Sequence, residues 1–299
     1  MNNILRKRLI IALSITIVLC LLLAVSVINN GGLFKDANIT EARSDELQGI
    51  VEIIDVGQGD SILLYSNGYS MLIDTGLYEN SQAVCKTLSK YKIKELDVLL
   101  ITHLDNDHTG GIANVVELHN ISNLILPELS VESEGLGSAE LVINTVAKQG
   151  GEIYTASQGM NFQIGDFEVT ILAAFNKMNE ENNRSVITMA KIDGKKFLFT
   201  GDLEAKAEKA LLNEGLDLNC DVLKVGHHGS NTSSTDDFLK ATSPRFAAIS
   251  VGAENIYGHP HNQVLSRIEA INAKIYRTDL MGNIKFQIKN GKITVKTDR

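Results

Sequence analysis

Four apolar runs in this chain end within two residues in aspartate or histidine. MLIDTG carries Asp74, and DVLLIT runs into HLDNDH with His103, Asp105, Asp107 and His108. KKFLFTG meets Asp202, and DVLKVG meets His227 and His228. A fifth run, AAISVG, is followed by YGHP with His259. Short apolar runs bounded by glycine and polar residues read as buried strands. A chain that repeats a strand followed by a metal-grade side chain has few folds open to it. The strand ends must converge on one rim of a rigid scaffold, where loops carry chemistry. Alternation along an extended segment puts His103 and Asp105 on one side. Asp107 and His108 then open the next helix, and Gly110 and Gly111 allow close backbone approach there.

The remaining pattern predicts the layers. Strands are expected over 50–55, 61–65 and 69–74, the last two joined by the hairpin signal Asn67-Gly68. Helical spacing predicts helices over 81–91, 111–119, 139–149, 203–214, 236–241 and 263–271. Further strands are expected over 96–102, 123–126, 152–154, 162–164, 167–172, 185–192, 196–200, 222–225, 246–251, 275–277, 284–289 and 292–295. Hairpins come first, and helices alternate with single strands later. The expected class is α/β, with two mixed sheets packed face to face and helices outside.

The N-terminus predicts a membrane segment. Residues 9–28, from Leu9 to Ile28, carry no charge, and Arg6, Lys7 and Arg8 precede them. Twenty helical residues rise about 30 Å, enough to cross the hydrocarbon core. The positive-inside rule puts the basic segment 1–8 in the cytoplasm and the rest of the chain outside. We favour an uncleaved anchor over a cleaved signal peptide, in which case the protein would be secreted. Residues 29–47 read as a polar linker, and 48–299 as one folded domain. The formal charge of -8 does not advertise a basic nucleic-acid footprint, although bound cations can offset it. Cysteine is sparse: Cys20 lies in the apolar run, and only Cys85 and Cys220 could form a bridge.

The bland reading of THLDNDHTGG is a solvated loop with a helix cap. Four aspartates and histidines within six positions, with more after later strands, favour metal ligation instead. A bound divalent ion makes hydroxide available at neutral pH, and two adjacent ions can clamp a phosphodiester.

The motifs DVGQGDS, LIDTG, THLDNDHTGG, ENNRSV, FTGDLE, LKVGHHGS and ISVGAENIYGHP also carry a family resemblance. They resemble the metallo-β-lactamase superfamily, and within it the soluble domain of ComEC-type competence proteins, over most of 48–299. The resemblance implies an αββα four-layer sandwich, here preceded by one transmembrane helix, and metal-dependent hydrolysis of DNA phosphodiesters. A single anchor leaves no conducting channel, so a nuclease module is expected rather than a transporter. The resemblance further implies that Asp74 orients a ligand, that His103 and Asp105 bind one metal, and that Asp107 and His108 bind the other. Asp107 would also position the attacking water, Asp202 would bridge the ions, and one of His227 and His228 would complete the second site. His259 would contact phosphate or protonate the leaving group. Ser230, with Asn183 and Ser185, would hold substrate oxygens.

Two departures sharpen this. Asp105 stands where the superfamily signature has histidine, and ENNRSV occupies the neighbourhood of its third histidine. Harder ligands move the first site away from zinc towards Mn²⁺. Two divalent ions, Mn²⁺ or Zn²⁺, are therefore expected, the second held more firmly. The expected substrate is single-stranded DNA, with separate uptake machinery as a partner. Rival readings are a same-fold hydrolase of a small ester, lactone or β-lactam, and a metal-dependent nucleic-acid-binding module without turnover. His119 is expected as a cap or surface residue, His261 near the site, and Asp55 and Asp60 in a glycine turn. SNTSST from Ser230 is expected as a flexible loop, and residues 204–209 as a solvated helix face.

Overall fold

Hydrophobic alternation decides where each layer lies. The computed structural model describes residues 47–299, apart from 131, 132 and 134. The basic segment, the apolar run at 9–28 and nearly all of the linker lie outside the described residues. No helix among the described residues is long and apolar enough to cross a membrane.

The chain begins with β1 (Gly49–Ile53), β2 (Ile62–Ser66), β3 (Tyr69–Ile73), β4 (Glu95–Leu100), β5 (Asn120–Leu126) and β6 (Glu152–Thr155). It crosses into β7 (Asn161–Ile164), β8 (Phe167–Ala174), β9 (Val186–Ile192), β10 (Lys195–Phe199), β11 (Val222–Lys224), β12 (Phe246–Ile249) and β13 (Lys274–Arg277). It then returns in β14 (Ile284–Lys289) and β15 (Lys292–Thr297). The first sheet has the order β15-β14-β1-β2-β3-β4-β5-β6, and the second β13-β12-β11-β10-β9-β8-β7.

Leu72 of β3 and Leu99 of β4 belong to an outer core with Val84, Leu88, Val115 and Val142. Those partners come from α1 (Ser81–Lys90), which precedes the short α2 (Asn106–Thr109), and from α3 (Ile112–Leu118) and α4 (Leu136–Gln149). Across the molecule Leu198, Leu223 and Ala247 pack with Leu211, Phe238 and Ile268. These last come from α5 (Ala205–Asn213), α6 (Asp236–Thr242) and α7 (Asn262–Ala270), ahead of the short α8 (Thr278–Met281). The alternate residues, such as Met71, Ile73, Val98 and Leu100, are equally buried and face the opposite sheet. Burial on both faces is why these strands read as unbroken apolar runs. Phe286 of β14 joins the sheets, with its ring 6.2 Å from Phe197 of β10 and 6.0 Å from Phe246 of β12. The result is an αββα sandwich.

The one bridge open to Cys85 and Cys220 does not form. Each thiol is free and buried in a different outer core. Strands β3, β4, β5 and β6 run parallel, as do β10, β11, β12 and β13. Parallel strands send their carboxyl ends to one rim, where ligands bind in such folds. Asp74, His103, Asp202 and His228 all follow such ends.

Phe286→Ala should destabilise the chain by about 3 to 5 kcal/mol, since it empties a fully buried ring site between the sheets. Denaturant unfolding checks this; a loss below about 1 kcal/mol would contradict the packing described.

Candidate metal centre

Asp74 leaves β3 with φ 58°, a left-handed conformation uncommon outside glycine. The turn swings its carboxylate across the end of β4. Oδ1 accepts the Thr102 amide at 2.8 Å, and Oδ2 accepts the Thr102 hydroxyl at 2.7 Å. His108 Nδ1 lies 2.8 Å from the same Oδ2. A carboxylate can only accept, so Nδ1 carries the proton and Nε2 is left as a lone pair. The Thr102 hydroxyl, having donated to Asp74, accepts from His103 Nδ1 at 3.0 Å. One buried carboxylate therefore sets the orientation of two imidazoles.

The short helix α2 carries the next donors. Asp105 is its N-cap residue, yet its side chain makes no capping bond. The helix-cap reading fails there, and the carboxylate stands about one-third exposed with Oδ2 3.6 Å from His103 Nε2. Gly59 must lack a side chain, because a Cβ would collide with the Asp107 carbonyl. That contact lets the Asp60 amide donate to Asp107 O at 3.2 Å and pin the helix.

The second sheet supplies Asp202 after β10 and His227-His228 after β11. Both histidines are left-handed, at φ 49° and 51°. Such residues cost about 1 to 2 kcal/mol each, so surrounding contacts must hold them. His228 Nδ1 donates to Ser250 O at 2.9 Å. Its Nε2 lies 3.1 Å from Asp107 Oδ2 and 3.2 Å from Asp202 Oδ2. His108 Nε2 is 3.3 Å from Asp202 Oδ1. One donor atom from each of Asp107, His108, Asp202 and His228 fits within 4.8 Å of all the others. His227 does not join this group. It is partly exposed, 3.9 Å from Asp202 and 3.3 Å from Glu204 Oε1.

The cluster's electrostatics call for a cation. Burial opposes the charged forms of His108 and His228, but the carboxylates around them outweigh it and hold both imidazoles well above their usual pKa. Burial likewise opposes the charged carboxylates of Asp202 and Asp107, yet the imidazoles hold both below the usual range. His103 Nε2, His108 Nε2 and Asp202 Oδ1 are buried without hydrogen-bond partners among the described residues. Buried polar atoms are seldom left so, and a divalent ion, displacing the Nε2 protons that the carboxylates otherwise favour, is what the two imidazoles and two carboxylates of this group fit.

His259 sits at the lip, half-buried, with its ring 5.4 Å from His227 and 6.4 Å from His228. Burial first, and then the neighbouring imidazoles, push its pKa down to about 4. Asn183 and Ser185 are buried, with polar atoms engaged inside the protein. Asn183 pairs with Glu204 through both ends of its amide, and the Ser185 hydroxyl donates to Asn182 O while accepting the Asp202 amide. They brace the Asp202 turn. Ser230 is also buried, 3.0 Å from the Thr232 hydroxyl.

Other expectations need correction. His119 does cap the end of α3, its amide donating to Val115 O, but it is buried and not at the surface, with Nδ1 on Ile93 O. The hydroxyl loop after Ser230 is tied down, because Glu208 accepts the Ser234 and Thr235 amides and the Thr235 hydroxyl. Glu208 is therefore buried and not on a solvated face. Asp55 does serve the glycine turn, accepting the Gly57 amide. The sequence reading missed Thr102, Glu204 and Lys224. Lys224 had a signal, as a lone cation inside the apolar run DVLKVG; it is fully buried, 2.6 Å from Asp60 Oδ2.

A double-sheet sandwich that gathers imidazoles and carboxylates at one rim has the build of a metallohydrolase. The chain belongs to the metallo-beta-lactamase superfamily, whose family profile matches residues 54–253. It is related to competence proteins. It is 32% identical over 263 residues to ComE operon protein 3 of Bacillus subtilis (strain 168), covering 81% of this chain and 33% of that one. It is 32% identical over 248 residues to Competence protein ComA of Neisseria gonorrhoeae, covering 82% and 33%. The chain thus spans about a third of the length of these curated relatives. Solved structures share the fold at low identity. The metallo-beta-lactamase fold protein YhfI from Bacillus subtilis gives a TM-score of 0.53 at 11% identity, over 83% of this chain and 100% of that chain. CmlA, a diiron beta-hydroxylase from Streptomyces venezuelae, gives 0.55 at 13%, over 81% and 55%.

His228→Ala should abolish tight uptake of divalent metal, whereas His227→Ala should retain it. Titration calorimetry with Mn²⁺ and Zn²⁺ separates the two, and equal losses would contradict the assignment.

Proposed function

We propose that the chain is a metal-dependent phosphodiesterase that cuts DNA, with single-stranded DNA its preferred form. One observation carries the reading. The Asp202 carboxylate lies 3.3 Å from His108 Nε2 through one oxygen and 3.2 Å from His228 Nε2 through the other, and His103 Nε2, His108 Nε2 and Asp202 Oδ1 are buried without hydrogen-bond partners among the described residues. The kinship with competence proteins supports DNA as the substrate.

Asp107, His108, Asp202 and His228 would hold one divalent ion. His103 and Asp105, sharing Asp202, would hold a second with fewer imidazoles. The oxygen-rich His103–Asp105 set favours Mn²⁺ over a purely zinc centre, and the four-donor group of Asp107, His108, Asp202 and His228 supports the firmer binding. A divalent ion so placed supplies Lewis acidity and makes a water nucleophilic near neutral pH.

The chain's own residues supply orientation. Asp107, held by the Asp60 amide and beside His228, is placed to accept a hydrogen bond from the attacking water and fix its direction. His259, neutral at pH 7 with its pKa near 4, donates an N–H to a phosphate oxygen at the lip. A phosphate anion beside it would raise that pKa, and only then could it protonate a leaving group. Asn183 and Ser185 act through the Asp202 turn.

The uncharged run at 9–28, preceded by Arg6, Lys7 and Arg8, supports an anchored domain outside the cytoplasm, acting alongside separate uptake machinery.

The protein loaded with Mn²⁺ should cut single-stranded DNA, and EDTA or Asp202→Ala should remove the activity. Affinity should also fall steeply with salt, through counterion release from the phosphate backbone. Metal-replete protein that is inert on every nucleic acid but active on esters, lactones or β-lactams would replace the nuclease reading. Tight DNA binding with no turnover under any metal would reduce it to a binding module.

A further inference from the structure

The ion pair between Lys224 and Asp60 has no place in the chemistry described so far. Lys224 is the last residue of β11, and its ammonium is wholly buried. Among the described residues it meets Asp60 Oδ2 at 2.6 Å and Val225 O at 3.0 Å. Asp60 is just as buried, in the loop between β1 and β2. Two desolvated charges are weak evidence for stability, because an apolar pair of the same size often serves the fold equally well.

What distinguishes Asp60 is the number of metal-centre elements it touches. Its amide donates to Asp107 O, and its carbonyl accepts the Gly76 amide beside Asp74. Both contacts lie on the first sheet's half of the cluster. Its carboxylate faces the other half. Oδ2 takes Lys224, and Oδ1 lies 3.5 Å from His228 Nδ1 with no hydrogen-bond partner of its own among the described residues. The same seam is tied by the Ser250 hydroxyl on Gly59 O at 2.7 Å, and Ser250 O holds His228 Nδ1. Asp107 and His108 come from the first sheet, and Asp202 and His228 from the second. The span between these pairs therefore depends on the seam.

We propose that Asp60 and Lys224 are a positioning pair. They hold His228 with Nε2 towards the metal and set the separation of the two halves of the ligand cage. The proposal rests on the metal-centre reading. It predicts that the pair governs metal affinity more than folding.

The test uses the full chain with Asp60→Asn and Lys224→Met together, which removes both charges and leaves neither unpaired. The metal-free double variant should unfold at nearly the wild-type temperature. Its affinity for Mn²⁺ and Zn²⁺, by titration calorimetry, should fall about 10- to 100-fold, as for outer partners of metal-bound histidine. Lys224→Arg should restore part of the affinity lost in Lys224→Met. Wild-type affinity in a folded double variant would overturn the inference and leave the metal centre standing. If the double variant does not fold, Asp60→Asn alone is read the same way. Failure of that variant to fold would assign the pair to the fold and also overturn the inference. If wild-type protein takes up neither ion, the metal-centre reading fails and this one goes with it.

Discussion

The Asp74 carboxylate is the constraint on which the rim depends. It accepts the Thr102 amide and hydroxyl together with His108 Nδ1, and it reaches them only because residue 74 turns left-handed at the end of β3. Through Thr102 it also directs His103. Two imidazoles thus present Nε2 to the same space without contacting one another through hydrogen bonds. A less directional anchor would let either ring flip, and a ring flipped by half a turn offers a proton where a lone pair is needed. Fixing the outer partner first is what makes the inner donors usable.

The two sheets contribute unequally. The first brings its histidines on a strand end and a short helix backed by Asp74. The second brings His228 on two consecutive left-handed residues, backed by a main-chain carbonyl. Both halves thus carry left-handed backbone, at Asp74 and at His227-His228, but the first is backed by charge-assisted hydrogen bonds, which are roughly twice as strong as neutral ones. Such strain persists only where the surroundings over-determine it. At His228 they do so through Ser250, Asp202 and the buried Asp60.

Much of this was legible in the sequence, for a physical reason. Strands buried on both faces are largely apolar, so a polar residue at their ends stands out against them; Asp74, His103, Asp202 and the His227-His228 pair were found in that way. The layers followed from the same runs. Three things were not legible. His227 and His228 are identical letters, and the left-handed backbone that sends one inward and one to the lip leaves no mark on composition. Asn183 and Ser185 carry substrate-like groups, but burial against Glu204 and the Asp202 amide engages those groups inside the protein. The partnership of Asp60 with Lys224 spans the two sheets, and no local spacing connects residues so far apart in the chain.

Asp105 bears on which chemistry the rim can support. A histidine there would pair with His103 as a second neutral donor and favour zinc. The carboxylate instead stands partly open to solvent, makes no cap bond, and adds negative charge beside a buried imidazole. The group of Asp107, His108, Asp202 and His228 has two carboxylates for two imidazoles, and the His103–Asp105 side adds one of each. A site so rich in carboxylate repels an anionic substrate until cations neutralise it. For the phosphodiester substrate proposed above, binding and metal loading would therefore be coupled in sign, since each cation that entered would remove a barrier to the polyanion. Because such coupling is reciprocal, the more open side of the rim is where substrate and metal should depend on one another most.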